Sequence, residues 1–510
     1  MTQARTTSIK NAKAGPKAPT PAAEARPAPV DALDYAGALA LLEERLNVEA
    51  VKPSQLDTEQ VFRLDRMLAL SESLGSPHAD LRCVHVAGSK GKGSVCEMTA
   101  ACLEACGCVV GLFTSPHLTR VRERIRLNRS EIPEGDFARV IGEVHKAASG
   151  LPKKLGPVTY FEMLTAAAFL YFAQEAVDVA VIEVGLGGTH DATNIIRPEV
   201  SAITSIQLEH TRLLGSSLAE IAAHKAGIIK SGAPAVSVPQ APEVLEVLRA
   251  RAADQGTTLE VLGEELDFSF RVSASTHLGA HAKVVLSTPR SNFEHLPVPL
   301  RGEHQAANCG VALAILDRLR TRGIDTPESL VAKGLERTCA AGRMEIVHRH
   351  PTVLIDGAHN PESVQALMRA IGTHLRFDSM IVVFGCMADK DIPGMLKRLA
   401  HGADKIFFTR SSDSPRAADP RDLAKRFNEI CAAGTSGHKM VQVAPTLREA
   451  LQRAAQAVDR HDLIVVTGSF AMAGEAKRLL QDKAQARREA PVGNAAIVEV
   501  KPPAPKPRRR

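Results

Sequence analysis

Short apolar runs alternate with helix-patterned segments along most of this chain, and that alternation restricts it to open, mainly parallel sheets covered by helices. Residues 81–87, 109–113, 177–184 and 200–206 read as buried parallel strands, and helical periodicity fills 94–106, 161–172 and 218–229. Parallel neighbours need a crossover, which helices on both faces supply. The rhythm breaks at Leu296-Pro-Val-Pro-Leu-Arg-Gly302 and then restarts, with strands expected at 352–355, 380–384, 405–409 and 463–467. Two α/β domains follow, at 34–297 and 298–485. A cleft between two such domains is a favoured ligand site.

The flanks are different in kind. Residues 1–33 are rich in Ala, Pro and Lys and carry a net +3, and residues 486–510 carry +5. Neither can bury a core, so both are expected to be disordered basic tails. Removing them from the total of +6 leaves −2 for the folded middle. That balance argues against nucleic acid as a partner of the core, as does an aromatic content of 4% without any Trp. No apolar run reaches the ~18–20 residues of a membrane helix, and no signal-peptide core opens the chain. The nine cysteines are odd in number and lie mostly inside expected elements, which suits reduced thiols in the cytoplasm. Cys102, Cys106 and Cys108 read as core packing; a metal site is the alternative, without a second Cys/His pair at zinc spacing.

The strongest single motif is Val84-His-Val-Ala-Gly-Ser-Lys-Gly-Lys-Gly-Ser94, which follows a strand and opens a helix. Gly88, Gly91 and Gly93 let backbone N–H groups curl round phosphate oxygens, and the helix N-terminus adds partial positive charge. Lys92 can reach the β- and γ-phosphates, and Ser94 can support phosphate or metal. The spacing is G-x-x-G-K-G-S, shorter than the common G-x-x-x-x-G-K-[ST] loop. A glycine-rich turn without a ligand is the alternative.

Further chemistry sits at other strand ends. Glu183 closes an apolar strand before Gly185-Leu-Gly-Gly188, and His210 follows the next strand. Strand carboxyl ends face the crevice where such sheets bind ligands. Together they make a plausible Mg²⁺ neighbourhood, although imidazole is an unusual partner for so hard an ion. Lys225, by spacing alone, is a solvated helix lysine. Thr159-Tyr-Phe-Glu162 and Ser217-Leu-Ala-Glu220 have capping-box spacing, so helix initiation is their first reading and ligand contact the second.

Taken in order, these segments resemble folylpolyglutamate synthase/dihydrofolate synthase of the Mur ligase superfamily, over roughly residues 36–480. The matching stretches are 87–94, Gly111-Leu-Phe-Thr-Ser-Pro-His-Leu118, Glu123-Arg-Ile-Arg126, 183–188, Asp191-Ala-Thr-Asn194, 225–230, His304-Gln-Ala-Ala-Asn308, Gly342-Arg-Met-Glu345 and Asp356-Gly-Ala-His-Asn-Pro361. The resemblance implies a phosphate-loop-containing, Mur-ligase-type ATPase domain with a mainly parallel sheet, and a smaller C-terminal Rossmann-like α/β glutamate-ligase domain. It implies ATP-dependent addition of L-glutamate to dihydropteroate or folates through an acyl phosphate, by a cytoplasmic monomer acting on small molecules. By the same resemblance, Gly88, Lys90, Gly91, Lys92, Gly93 and Ser94 hold ATP, with Asn308, Arg343, Asp356 and His359 closing from the second domain. Ser115, Glu183 and His210 match magnesium positions. Lys225 matches a lysine carbamylated by CO₂, which turns a cation into a ligand for a second Mg²⁺. Lys92, Lys225, His210 and Glu183 form the catalytic set. Thr159, Tyr160, Phe161, Glu162, His190, Asp191 and Ala192 align with pterin-binding segments.

The chain departs from the family pattern at Thr189-His190, at Glu209 in place of the usual aspartate, and at Lys90 where Asn is common. Rival readings are a cell-wall-precursor ligase of the same superfamily, a non-catalytic nucleotide-binding regulator, and an RNA-binding protein working through its tails.

Overall fold

The computed structural model describes residues 33–51, 62–275, 279–412, 414–433 and 439–489. The expected tails lie outside these residues, apart from Leu33, which packs against the apolar cluster around Phe137 and Tyr160, and 486–489, which continue the helix Phe470–Glu489.

The first sheet contains β1 (Cys83–Ala87), β2 (Val110–Phe113), β3 (Ile125–Leu127), β4 (Ser130–Glu131), β5 (Val179–Glu183), β6 (Pro198–Ile203), β7 (Ala235–Ser237) and β8 (Leu259–Val261). Their order is β4-β3-β2-β5-β1-β6-β7-β8. From β2 to β8 every pairing is parallel; β3 and β4 add an antiparallel edge. The central strands are buried along their whole length, which is why they read as continuous apolar runs. Because β2, β5, β1 and β6 are neighbours, the segments leaving their carboxyl ends lie side by side along one edge.

The helix Lys92–Ala105 covers the sheet, and the helices His304–Arg320 and Glu328–Glu336 pack on it in turn. Gly334 permits this closeness, since a Cβ there would stand 2.4 Å from the Cα of Cys102. The chain between holds an antiparallel sheet unforeseen in the sequence: β9 (Asp267–Ser275), β10 (Gly279–Ser287) and β11 (Asn292–Pro297), in the order β11-β10-β9. Val284, Leu286 and Phe293 join the first core, and Phe268 seats against Gly310 of the helix His304–Arg320.

The expected division between 297 and 298 therefore does not follow the packing. Val311, Leu313, Ile315, Val331 and Leu335 share one apolar cluster with Val84, Val86 and Val181 of the first sheet. The second core begins only at Met344. The two prolines near 296–300 mark a turn within the first unit, not its end.

The second unit is built on β12 (Glu345–His348), β13 (Thr352–Ile355), β14 (Met380–Phe384), β15 (Lys405–Phe408), β16 (Met440–Val443) and β17 (Leu463–Thr467), ordered β12-β13-β17-β14-β15-β16 and parallel except for β12. It touches the first unit closely at Gly474, where a Cβ would lie 1.8 Å from the Leu118 carbonyl oxygen. All nine cysteines are free thiols, and Cys102, Cys106 and Cys108 pack in or against the first core. Among the described residues no helix is long and apolar enough to cross a membrane.

Candidate active site

A cleft of about 1200 Å³ opens between the two units, along the carboxyl edge of the first sheet. The loop after β1 forms its floor. Gly88 has φ +146°, and a Cβ there would fall 1.8 Å from Thr204 Oγ1; Gly91 has φ +97° and faces Asn308 Oδ1. Only glycine combines these angles with such close approach. Gly91 starts the helix Lys92–Ala105 without a side-chain cap, leaving the first-turn N–H groups for an anion. Lys92 Nζ folds back onto the Gly88 carbonyl at 3.1 Å, and Ser94 is buried behind it.

Glu183 ends β5 beside this loop, only 3% exposed. Its Oε2 accepts the Ser115 N–H at 3.1 Å. Burial raises the carboxyl's pKa, with Lys92 the main opposing charge. A buried carboxylate with one hydrogen bond among the described residues has lone pairs to offer a hard cation, so the donor chemistry fits Mg²⁺.

A second charged group follows β6. Lys225 is 2% exposed, not solvated as its spacing suggests; Nζ donates to the Gly88 carbonyl at 2.8 Å and to Glu209 at 3.4 Å. Burial pulls its pKa down to about 8, against the pull of Glu209. Burial likewise brings Lys90 to about 8, with Glu209 opposing. Burial alone would raise Glu209, but Lys225, Lys92 and Lys90 outweigh it and hold the carboxyl at about 2. His210, at φ +49°, opens onto the cleft, and the surrounding protein lowers it to about 4 despite Glu209. Ser115 thus meets Glu183, whereas Lys225 meets Glu209. Among the described residues no three His, Cys, Asp or Glu side chains stand together as a ready metal site.

The second unit brings Arg343, Asp356 and His359 to the opposite wall. The Arg343 guanidinium lies 4.8 Å from the Phe470 ring centroid. Asp356 accepts the N–H groups of Met344 and Ala358 at 2.9 and 2.8 Å. His359 donates from Nδ1 to the Gly357 carbonyl at 2.8 Å, so its Nε2 accepts from Lys90 Nζ at 3.0 Å. Burial and Lys90 keep that imidazole neutral. Asn308, expected from the second domain, instead lies on the helix His304–Arg320 of the first unit and abuts Gly91.

At the far end of the cleft stand Thr159, Phe161, Glu162, His190, Asp191 and Ala192. Tyr160 does not join them; it is buried in the second apolar cluster with the Arg124 guanidinium 5.6 Å from its ring centroid. On the helix Tyr160–Gln174 it belongs to that cluster, while Phe161 and Glu162 beside it line the cleft. Glu162 is an anchor: it closes the capping box with Thr159 and pairs with buried Arg66 at 2.9 Å. Asp191 caps the turn Ala192–Ile195. Glu49 and Phe470, which no matched stretch contains, and His117, which one contains without a role, also line this cleft. Arg124, in a matched stretch, pairs with Glu49 and receives no role from spacing; no local pattern announces a partner so far along the chain.

Comparison with known proteins agrees with this geometry. The Mur ligase middle domain profile matches residues 86–316, and that of the Mur ligase glutamate ligase domain matches 342–470. The chain is 34% identical over 470 residues to a dihydrofolate synthase/folylpolyglutamate synthase of Mycobacterium tuberculosis, covering 86% of this chain and 92% of that one. It is 34% identical over 419 residues to a folylpolyglutamate synthase of Lacticaseibacillus casei, covering 81% and 94%. It spans only 48% of a longer Haloferax volcanii relative, a probable bifunctional folylpolyglutamate synthase/dihydropteroate synthase, at 36% identity over 84% of this chain. Escherichia coli FolC in complex with DHPP and ADP superposes with a TM-score of 0.74 at 29% identity, covering 90% of this chain and all of that one.

Proposed function

The chain belongs to the folylpolyglutamate synthase/dihydrofolate synthase family of the Mur ligase superfamily, and from that membership we propose how its own cleft carries the reaction. It is an ATP-dependent ligase joining glutamate to folates. The single observation that carries the site assignment is the meeting of the phosphate loop, Glu183 and Lys225 at one sheet edge, beneath Arg343 of the second unit.

A carboxylate does not acylate an amine at neutral pH. Transfer of the γ-phosphoryl of ATP to the acceptor carboxylate forms a new O–P bond, breaks the Pβ–O–Pγ bridge and releases ADP. The glutamate amine then attacks the acyl carbon, loses a proton, and phosphate leaves. Two anions must meet for the first step. In this reading Gly88, Lys90, Gly91, Lys92, Gly93 and Ser94 hold the ATP phosphates, Lys92 and Arg343 neutralise charge as it shifts, and Asn308, Asp356 and His359 complete the nucleotide wall. Closure of the second unit excludes water that would hydrolyse the acyl phosphate.

Ser115, Glu183, His210 and Lys225 as its carbamate are the residues that would hold Mg²⁺, at two sites. A bound Mg²⁺ supplies charge neutralisation at the phosphates. A lysine lowered to about 8 keeps a usable fraction of neutral amine at physiological pH, the form that adds to CO₂ with loss of a proton. Beside Glu209 the resulting anion needs a cation, which is consistent with magnesium there. Thr159, Phe161, Glu162, His190, Asp191 and Ala192 form the pterin end, with Glu162 and Asp191 shaping it through the backbone. The protein acts as a cytoplasmic monomer on ATP, L-glutamate and dihydropteroate or folates, without nucleic acid or membrane.

The deciding experiment is phosphate release from ATP with Mg²⁺ and L-glutamate, in the presence of dihydropteroate, of tetrahydrofolate, or of neither. Release requiring a pterin supports the assignment, and the two arms separate dihydrofolate synthesis from glutamate chain extension. Protein that binds ATP yet releases no phosphate with either acceptor would refute it.

A further inference from the structure

One buried polar side chain in the first sheet has no place in the mechanism above. His85 lies in the middle of β1, fully buried and with neighbours paired on both sides. Its Nε2 stands 2.9 Å from Thr193 Oγ1, while its Nδ1 is buried without a partner. Thr193 in turn stands 2.5 Å, through the same oxygen, from Asp191 Oδ1, which also accepts the Thr193 N–H at 3.0 Å. The other Asp191 oxygen accepts the Leu186 N–H at 2.8 Å.

With Asp191 ionised, the proton directions along this line follow one from another. A carboxylate only accepts, so the single Thr193 hydroxyl proton goes to Asp191. Thr193 oxygen can then only accept from His85, which places the imidazole proton on Nε2 and leaves Nδ1 bare. Burial holds the ring neutral, its pKa pushed down to about 3, in keeping with that single proton. The bare nitrogen is a cost that an apolar residue in the same strand would avoid. What the histidine provides in exchange is direction: it keeps the Thr193 proton aimed at Asp191. Burial raises the Asp191 carboxyl, and each donor counts toward keeping it ionised.

Asp191 and Leu186 line the acceptor end of the cleft. The same segment is tied at two more points. Asn194 Nδ2 donates to the Thr189 and Gly227 carbonyls, and Lys230 Nζ donates to the Asn194 and Ile196 carbonyls. His85 is the tie that reaches it from within the sheet.

We infer that His85 is a positioning residue for the acceptor: through Thr193 it sets the charge and orientation of Asp191, and through Asp191 the Leu186 backbone, in the wall that meets the pterin. This rests on the assignment of 190–192 to the pterin end. Asp191 acts on that wall through the Leu186 backbone, whose N–H it holds at 2.8 Å.

The test is steady-state kinetics of the full chain with each substrate varied in turn. His85→Leu removes the donor; His85→Gln retains an N–H at similar reach. The Leu variant should raise KM for the pterin acceptor about five- to tenfold, the loss of roughly one hydrogen bond, with KM for ATP unchanged. The Gln variant should restore most of it. Thr193→Val should reproduce the Leu effect, and the double variant should be no worse than either single one; Thr193→Val by itself carries the test if the Leu variant does not fold. Unchanged acceptor KM in Thr193→Val, or equal rises for ATP and acceptor, would overturn the inference. Asp191→Asn separates the two levels: if it leaves acceptor KM unchanged, the assignment of the pterin end fails first. If it raises that KM while Thr193→Val does not, only the relay fails.

Discussion

Removing Glu162 tests whether the acceptor end is built by an anchor or by a ligand. Both Glu162 oxygens lie 2.9 Å from Arg66 Nε, and one also accepts the Thr159 N–H and hydroxyl at 2.8 Å. Both partners are almost fully buried. Glu162→Leu leaves the Arg66 guanidinium in the core without its carboxylate, which costs about 3–5 kcal/mol. It also opens the capping box of the helix Tyr160–Gln174, worth about 1 kcal/mol. At roughly 2 °C per kcal/mol for a unit of this size, the midpoint of thermal unfolding should fall by about 8–12 °C. Arg66→Met combined with Glu162→Leu should recover most of that loss, because a buried ion pair is often replaced by apolar side chains at little cost. Differential scanning calorimetry of the single and double variants reads both effects, and steady-state kinetics reads the acceptor KM. A Glu162→Leu variant that melts within ~2 °C of the parent while its acceptor KM rises steeply would refute the anchor and make Glu162 a direct ligand.

Lys225→Ala should lower turnover by roughly 10²–10³, the usual cost of losing a fixed charge at a reacting centre, and a small added carboxylic acid should restore part of it. Parental turnover at saturating ATP and Mg²⁺ would remove the carbamate from the mechanism. Lys90→Asn places an amide too short to reach His359; losing that charged hydrogen bond and a phosphate-side cation should raise KM for ATP by about tenfold, and an unchanged value would place Lys90 outside the phosphate site. His85 also predicts a pH effect. Its pKa is about 3 in the fold and about 6.5 when unfolded, so between these values only the unfolded chain takes up the proton. The contribution is present above pH 6.5 and is lost as pH falls toward 3, by about 2 kcal/mol at pH 5. Urea unfolding at pH 7.5 and 5 should show His85→Gln losing less stability on acidification than the parent by about that amount; equal losses would mean that the ring is not buried neutral.

Much of the fold is legible locally. β13, β14 and β17 coincide with the apolar runs read from the sequence, and β1, β2 and β5 differ from theirs by one or two residues at an end. A strand buried on both faces needs unbroken apolar residues, so its signal is complete within its own span. The glycine loop is legible for the same reason: positive φ and close backbone approach are demands that one short stretch must meet by itself. β9 to β11 escaped notice because only one face is buried, with Phe270 and Val272 left exposed, so no continuous run announces them. The break at 296–302 misled because prolines mark a turn without saying which core the next helix joins.

The sequence by itself determined the alternating α/β layers, the phosphate loop and, by resemblance, the kind of reaction. Only the tertiary structure decided which side chains meet. Lys225 changes from a surface lysine to a buried one because the Gly88 carbonyl, 137 residues earlier, comes to lie 2.8 Å from its ammonium. His359 meets Lys90 across 269 residues, and Glu162 proves to be a partner of Arg66, 96 residues away. Periodicity and capping are set by neighbours three or four residues apart, so one segment reveals them. Burial, charge pairing and the pKa values that follow depend on distant segments arriving at one place, which the path of the whole chain settles.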